Sequence, residues 1–319
     1  MIARLAVLAG AALVAGGALA QPYPSKAVKL VVPFAAGGAV DTVSRIVGQR
    51  VSEQAGVPVV IEHQPGASAN LGADFVAKAA PDGYTVLMGA NGLAANMTLF
   101  QNLPFDTVRD FAPVARVGYA PLVLVLHPSS PARTFAEFVS LARSQPGKLT
   151  YGSSGIGGSG HLATELLRME TKTELLHVPY KGGSPALADL VGGRLSLMLI
   201  NPIETVAHVK AERLRALAVS SDARMPLLPD TPTFAEAGMP GFRASVWWGL
   251  VAPAKTPPAA VQRLADETLR AMASEPVKAR FAEIGAVSAP LGPDAFRDFL
   301  RAEIDTWSRV IKAAGIRAE

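Results

Sequence analysis

The sequence predicts an α/β protein of two lobes, in which each lobe is a mainly parallel sheet flanked by helices. Short apolar runs of strand length alternate with segments whose apolar residues recur at helical spacing, an order typical of parallel sheets. This alternation restarts near residue 122. In addition, 299 residues follow residue 20, and a chain of that length usually divides its hydrophobic core between two domains.

The first part of the chain alternates three strands with two helices. Val40, Val43 and Val51 fall at helical spacing in the first helix, and Gly56 stands where a helix C-terminus favours glycine. We predict strands at residues 28–33, 57–61 and 84–88, with the second helix at residues 71–79.

The second lobe repeats this alternation. Thr134 is the predicted cap of an amphipathic helix that stops at residues 146–147, Pro-Gly. Residues 221–241 are rich in proline and turn residues, and they return the chain to the first lobe. Further strands are predicted at residues 122–126, 149–151, 175–179, 195–200 and 214–219, and two final helices at residues 258–274 and 293–314.

The domain organisation follows from this order of elements. Residues 21–122 together with residues 222–319 are expected to form the first lobe, and residues 123–221 the second. Strands near residues 122–126 and 216–219 are expected to cross between the lobes as a hinge. A ligand cleft between the lobes is expected, because small-molecule sites are common at domain interfaces.

The first twenty residues have the features of a signal peptide. Arg4 precedes an apolar run at residues 5–14, and Ala18-Leu19-Ala20 matches a cleavage signal before Gln21. The run is shorter than the roughly 20 residues that span a membrane. We predict cleavage after Ala20 and export to the periplasm, with an uncleaved anchor as the alternative. Because the chain has no cysteine, we expect no lipid-modified N-terminus, disulfide or thiol chemistry.

Composition argues against several function classes. Half of the residues are hydrophobic and 18% are charged, which suits two sizeable cores. The net charge of +4 is not clustered, so nucleic acid is not an expected partner. The five histidines lack metal-ligand spacing, and no pair of carboxylates flanks either glycine loop described next. We therefore expect no metal, no cofactor and no catalysis.

A glycine-rich loop between a strand and a helix occurs twice, at residues 33–41 and 151–161. Free N–H groups and the helix dipole make such a helix N-terminus suitable for an anion. Ser153, Ser154 and Ser159 add hydroxyl donors, and neither loop contains lysine or arginine. The alternative is that both loops are ordinary turns in which glycine only permits a tight backbone.

The second loop also matches a dinucleotide-binding pattern. Residues 155–160 read Gly-Ile-Gly-Gly-Ser-Gly and lie between a strand and a helix, with His161 opening that helix. A dinucleotide site requires an acidic residue at the end of the next strand. Glu174 has the required spacing but stands at the start of that strand. A dinucleotide-dependent enzyme is therefore a weaker alternative to a binding protein.

The sequence resembles the substrate-binding proteins of tripartite tricarboxylate transporters, also called the Bug family, over the whole chain after the leader. Each matching segment alone is short, but their number and order are specific. The segments are residues 32–41 (Val-Pro-Phe-Ala-Ala-Gly-Gly-Ala-Val-Asp), 81–85 (Pro-Asp-Gly-Tyr-Thr), 110–113 (Asp-Phe-Ala-Pro), 151–162, 177–183 (His-Val-Pro-Tyr-Lys-Gly-Gly), 214–219, 229–233 and 236–238.

The resemblance implies a two-lobed periplasmic binding protein fold of the second type, with a carboxylate held in the cleft between the lobes. It also implies a monomer that delivers its ligand to transporter membrane subunits and has no enzymatic activity. A ligand-sensing subunit of a signalling receptor is the alternative, because such subunits close around their ligands in the same way.

The resemblance further implies which residues hold the ligand. Family members bind one carboxylate through backbone groups of the first glycine loop, which places Asp41 nearby; Asp41 has the alternative role of stabilising its own helix N-terminus. The implied ligand residues are Phe34, Ala35, Ala36, Gly37, Gly38 and Asp41 in the first loop, Ser153, Ser154, Gly157 and Ser159 in the second, and Tyr180 and Gly182 in a further wall. His161, which opens the helix after the second loop, and Ser68, Asn91 and Asn201 are further candidates.

Two departures from the family pattern bear on the ligand. Residues 63–69 read His-Gln-Pro-Gly-Ala-Ser-Ala where the family has Asn-Arg-Pro-Gly-Ala-Gly-Gly, and Ile200-Asn201 replaces an Asp-Asn pair. Without a carboxylate at Ile200, an amino-acid ligand lacks an acidic partner for its ammonium group. We therefore expect a plain mono- or dicarboxylate, which Trp247 or Trp248 could contact if one of them is not packed in the core.

Overall fold

The computed structural model describes residues 23–318. The predicted signal peptide and its cleavage position lie outside these residues. Within the described range, no helix is both long enough and apolar enough to cross a membrane.

The described chain alternates strands and helices over most of its length. The strands are β1 (Val28–Val32), β2 (Val59–His63), β3 (Thr85–Gly89), β4 (Phe111–Pro121), β5 (Val123–Leu126), β6 (Thr150–Ser153), β7 (Leu176–Pro179), β8 (Leu197–Ile200), β9 (Arg215–Val219), β10 (Ser245–Pro253) and β11 (Val287–Leu291). The helices are α1 (Ala39–Ala55), α2 (Asn70–Ala77), α3 (Gly92–Leu99), α4 (Phe135–Ser144), α5 (Ser159–Thr171), α6 (Gly183–Val191), α7 (Pro202–Lys210), α8 (Pro258–Ala273), α9 (Glu275–Glu283) and α10 (Pro293–Ala314), with a 3₁₀ turn at Ala67–Ala69.

Two sheets organise these elements. The first has the order β11-β4-β10-β3-β1-β2 and the second the order β7-β6-β8-β5-β9. β1 runs parallel to β2 and β3, and β6 runs parallel to β7 and β8. The remaining strands β4, β5, β9, β10 and β11 pair antiparallel. Both sheets are therefore mixed and not mainly parallel as predicted, because β10 and β11 in the first sheet and β5 in the second run against their neighbours.

The chain passes between the sheets at closely spaced positions. Leu122 alone separates β4 of the first sheet from β5 of the second. Ser220, which follows β9, donates its backbone N–H to the Leu122 carbonyl at 2.9 Å, and its hydroxyl oxygen accepts from the Leu122 N–H at 2.8 Å. The same hydroxyl donates to the Ala244 carbonyl at 2.5 Å, just before β10. The two crossings between the sheets are thus joined by one buried serine.

Both tryptophans considered for ligand contact belong to the core. Trp247 and Trp248 are at most 1% exposed in β10. The Trp247 ring packs edge-on against Phe296, and its Nε1–H donates to Glu303 of α10 at 2.8 Å. Trp307 donates to the same carboxylate oxygen at 3.0 Å. Trp247 therefore joins β10 to α10, and of the two roles that the sequence left open for these indoles, core packing is the one observed.

Candidate functional site

Five helix N-termini line one cavity between the two sheets. Each of the parallel strands β1, β3, β6, β7 and β8 is followed by one of the helices α1, α3, α5, α6 and α7. The first residues of these helices, or their N-caps, face the cavity: Gly38, Gly92, Ser159, Gly183 and Asn201. Helix N-termini carry partial positive charge and free N–H groups, so the cavity is suited to an anion.

The cavity is small. Its volume is about 50 Å³, counted as the space open to the centre of a water molecule. A single water needs about 10–15 Å³ on this measure, so a few water-sized groups fit. Of the sixteen predicted ligand residues, seven line it: Phe34, Ala35, Gly38, Asn91, Ser154, Ser159 and Asn201.

In the first glycine loop, the residues that the prediction placed at the ligand point in different directions. Ala36 and Gly37 are exposed to solvent, whereas Gly38 is buried at the cavity. Asp41 lies behind the loop and accepts hydrogen bonds from the Gly37 N–H at 2.9 Å, from Arg45 at 3.1 Å and from His63 at 3.0 Å. Asp41 thus stabilises the loop and the start of α1, the alternative role that the sequence left open.

The pKa of Asp41 reflects these contacts. Burial raises the pKa of the carboxyl, but the hydrogen bonds from Gly37, Arg45 and His63 outweigh burial and hold the pKa below its ordinary value. The carboxylate is therefore charged at neutral pH and remains an acceptor for the loop backbone.

Three predicted residues of the second loop support it from beneath and do not line the cavity. The Ser153 hydroxyl donates to the Gly155 carbonyl at 3.0 Å and lies 2.7 Å from Nε2 of His177. Nδ1 of His161 accepts from the Gly157 N–H at 3.1 Å, and the two imidazole rings stack with centroids 4.2 Å apart. The loop geometry therefore depends on a buried pair of histidines.

Burial determines the charge of the two histidine rings beneath the second loop. Burial lowers the pKa of His161 to about 4 and that of His177 to about 3, so both rings are neutral at pH 7. Tyr151 stacks on His177 and donates to Glu165 at 2.5 Å, and burial raises its pKa far above the ordinary value. Arg168 completes the network by donating to Glu165 at 2.6 Å.

The remaining predicted residues lie beside the cavity, where the two lobes touch. The Ala35 N–H donates to the Lys181 carbonyl at 3.3 Å, and a Cβ on Gly182 would lie 3.4 Å from that of Ala35. A Cβ on Gly155 would lie 3.4 Å from the hydroxyl oxygen of Ser68. Tyr180 points its hydroxyl at Asp189, at 2.6 Å.

Asn91 has a structural role at the cavity wall. Its Oδ1 accepts from the Trp247 N–H at 3.2 Å, and its Nδ2 donates to the Ser245 carbonyl at 3.0 Å. The side chain therefore ties the start of α3 to β10. It also lines a larger, open groove of about 760 Å³, which includes apolar side chains such as Met225 and Trp307 and none of the residues of the glycine loops.

The prediction missed Glu204, whose carboxyl lines the cavity. It is the third residue of α7, and its Oε2 accepts from Nδ2 of the N-cap Asn201 at 2.5 Å. Oε1 is buried and has no hydrogen-bond partner among the described residues. It would lie 3.5 Å from a Cβ on Gly38. The sequence signal was the run Asn-Pro-Ile-Glu at residues 201–204, a capping pattern with an acidic third residue.

Burial raises the pKa of Glu204 to about 7, and the hydrogen bond from Asn201 opposes the rise. The Ser184 hydroxyl and the Ala39 N–H also oppose it, although neither forms a hydrogen bond with Oε1 by geometry. No lysine or arginine is found among the described lining residues. Residues 23–318 also contain no group of three His, Cys, Asp or Glu side chains arranged for a metal ion.

Comparisons with known proteins identify close structural relatives. Residues 43–316 match the family described as tripartite tricarboxylate transporter family receptor. The periplasmic binding protein BugD is 31% identical with a TM-score of 0.89, over 93% of this chain and 100% of that one. Rpa4515 of R. palustris, solved with adipate, is 37% identical with a TM-score of 0.89, over 92% and 99% of the two chains. MatC from Rhodopseudomonas palustris, solved with bound malate, is 33% identical with a TM-score of 0.85, over 91% and 100%.

These similarities bear directly on the sequence-based predictions. The two-lobed periplasmic binding protein fold and the resemblance to the Bug family are confirmed. The matched family consists of transporter receptors, which are binding proteins, so the expectation that the chain is not an enzyme is confirmed as well.

Proposed function

Because the chain belongs to the tripartite tricarboxylate transporter receptor family, we propose that it captures a small organic carboxylate in the cavity between its glycine loops and delivers it to the membrane subunits of such a transporter. The ligand class we propose is a short dicarboxylate, since the similar structures contain adipate and malate.

The convergence of five helix N-termini on one cavity carries this proposal. Because the described residues of the wall include no cationic side chain, recognition rests on backbone N–H groups and serine hydroxyls. Hydrogen bonds to a charged group contribute about 1.5–3 kcal/mol each. Three or four of them supply much of the ~8 kcal/mol of a micromolar complex before the cost of ordering the ligand.

The proposal includes the organisation of the protein around its ligand. Residues 21–122 with 222–319 form one lobe and residues 123–221 the other, and the lobes close on the ligand about the crossing at Leu122 and Ser220. The chain acts in the periplasm as a monomer after removal of its signal peptide at Ala20, and it has no nucleic-acid partner. Two similar structures, a periplasmic transporter and the periplasmic binding protein BugD, support this location.

A thermal-shift screen tests the proposal. Acetate, succinate, malate, adipate and NAD are added to the mature protein, and the hits are followed by titration calorimetry. A ligand present at 100 times its Kd stabilises the folded state by about 2.7 kcal/mol. We expect a shift with at least one dicarboxylate and none with NAD. A shift with NAD and with none of the acids would contradict the proposal.

The substitution Gly38→Ala tests whether the ligand binds at the first glycine loop. The added Cβ makes only ordinary contacts, 3.5 Å from Glu204 Oε1 and 3.6 Å from the Ser184 hydroxyl, and the backbone there is extended. The fold should survive while the methyl group obstructs an anion at the start of α1. We expect affinity for the best acid to fall at least about tenfold, roughly 1.4 kcal/mol.

The matched control is Gly241→Ala, an exposed glycine whose new Cβ would meet nothing within 4 Å. It should bind the acid as the unaltered protein does. If Gly38→Ala has a normal melting temperature and unchanged affinity, the ligand does not bind at the first glycine loop.

A further inference from the structure

We propose that Glu204 is protonated in the ligand complex and donates a hydrogen bond to the bound carboxylate, so that binding takes up one proton. This inference rests on the proposed function and specifies how the same cavity receives its ligand.

One carboxyl oxygen of Glu204 is held by a hydrogen bond, and the other has no partner among the described residues. Asn201 caps α7 and holds Oε2 of Glu204 through its side-chain amide. The free Oε1 faces the glycines that begin two other helices, because a Cβ on Gly38 or on Gly183 would contact it. The carboxyl therefore lies where the N-terminus of α1, the predicted carboxylate site, meets the N-terminus of α6.

A ligand carboxylate in this small cavity comes close to Glu204. Two carboxylates that share a buried site do not both ionise, and the proton is held between them. A lysine or arginine would remove the repulsion, but the described lining residues include neither. A protonated Glu204 removes it and also supplies a donor at a buried lining oxygen that has no partner among the described residues.

Of the described residues that line the cavity, Glu204 alone has an ionisable side chain. The other ionisable groups on α1, α6 and α7 have partners elsewhere or lie at the far end of a helix. On α1, Asp41 pairs with Arg45 and Arg50 pairs with Glu53. On α6, Asp189 pairs with Arg194, and on α7, His208 and Lys210 lie in the last turn.

Burial already prepares Glu204 for this role, since it raises the pKa of the carboxyl to about 7. Protonation near neutral pH is therefore easy, and a nearby anion promotes it further. Glu204 also changes the argument drawn from Ile200. The cavity does have a carboxyl, and an ionised Glu204 would instead accept a hydrogen bond from the ammonium group of an amino acid, which the experiment must distinguish.

Titration calorimetry in two buffers of different ionisation enthalpy measures the protons taken up. The probe is the acid among acetate, succinate, malate and adipate that gives the largest thermal shift, with aspartate as the amino-acid comparison. Carboxylic acids are ionised above pH 7, so pH changes only the protein. At pH 7 we expect uptake of about half a proton, because Glu204 is already about half protonated in the free protein. Towards pH 8.5 the uptake should rise to about one proton, and the fall in affinity should approach tenfold per pH unit.

Glu204→Gln separates this role from a structural one. The amide keeps the shape and a hydrogen-bond donor but does not titrate, so binding should persist with no proton uptake and no pH dependence above pH 7. The control Glu283→Gln alters an exposed carboxylate of α9 that pairs with Arg280. It should retain the proton uptake of the unaltered protein.

Three results would overturn the inference. The first is binding without proton uptake in the unaltered protein. The second is the same pH dependence in Glu204→Gln. The third is a preference for aspartate over succinate that Glu204→Gln abolishes. Failure of every acid to bind even at pH 5 would contradict the proposed function itself, and this inference with it.

Discussion

The two glycine loops have the same place in their lobes but are held in different ways. The first is fixed by Asp41, a residue of the helix that the loop begins, and its tip at Ala36 and Gly37 is open to solvent. The second lies on stacked imidazole rings from α5 and from β7. The first loop is thus stabilised by a local interaction and the second by tertiary packing, so the second should be the more sensitive to acid and to truncation.

Acid is expected to have the largest effect, and to act on the second loop. His161 and His177 have pKa values of about 4 and 3 in the folded protein, against about 6.5 in an unfolded chain. Between these values the unfolded state binds more protons. The free energy of unfolding should therefore fall as the pH drops from 6.5 towards 4, by up to about 1.4 kcal/mol per pH unit for each ring. Urea unfolding at pH 7.5, 6.5, 5.5 and 4.5 measures it.

Glu204 contributes with the opposite sign, because its raised pKa makes its stabilisation disappear as the pH rises from 4.5 through 7. The useful comparison is therefore with His177→Phe, which keeps a ring in the stack and removes one titrating group. This variant should lose part of the acid sensitivity. Asp41 has a lowered pKa and should matter only in stronger acid. Equal pH dependence in both proteins would show that the rings do not titrate as described.

Truncation of the second loop's support is expected to have the next largest effect. His161→Ala leaves a cavity under the loop and removes the acceptor of the buried Gly157 N–H. We expect the free energy of unfolding at pH 7.5 to fall by about 3 kcal/mol. The control His127→Ala removes a ring that bonds Ser129 near the surface and should cost about 0.5 kcal/mol or less. Equal costs would contradict the supporting role of His161.

The smallest effect is expected in the first loop. Asp41→Ala removes an acceptor from an exposed backbone N–H that water can replace, so we expect a loss of about 1 kcal/mol, as for other helix N-terminal caps. Asp41→Asn keeps one acceptor oxygen and should lose less. If Asp41→Ala destabilises the protein as much as His161→Ala does, the distinction between the two loops is wrong.

The same distinction explains what the sequence could predict. Local signals were read correctly: Gly56 ends α1 in the left-handed conformation, Thr134 caps α4 by accepting from the Glu137 N–H at 3.2 Å, and α10 has the predicted bounds. The first loop belongs largely to this class, because Asp41 bonds Gly37 and Arg45 of its own loop and helix, with His63 of β2 as a further partner.

Long-range structure was not predictable in the same way. After Ser245, β10 is apolar and shows no alternation, and it pairs with strands β3 and β4 far earlier in the chain. Its two tryptophans were therefore considered for the pocket. Glu204 reaches the cavity only because α7, which follows a strand of the second sheet, faces Gly38 in the glycine loop after β1 of the first sheet. Neither the pairing of β10 nor the contact between α7 and Gly38 can be predicted from the residues nearby in the sequence.

The carboxylate of Glu303, shared by two indoles, has a consequence for spectroscopy. The chain has three tryptophans, and Trp247, Trp248 and Trp307 all lie in β10 and α10. Emission from Trp247 and Trp307 should report on this contact, and none of the three indoles lies in the second sheet. Movement of the lobes is better followed by energy transfer between dyes on two introduced thiols, one in each lobe. Because the chain contains no cysteine, such labels would attach only where they are placed.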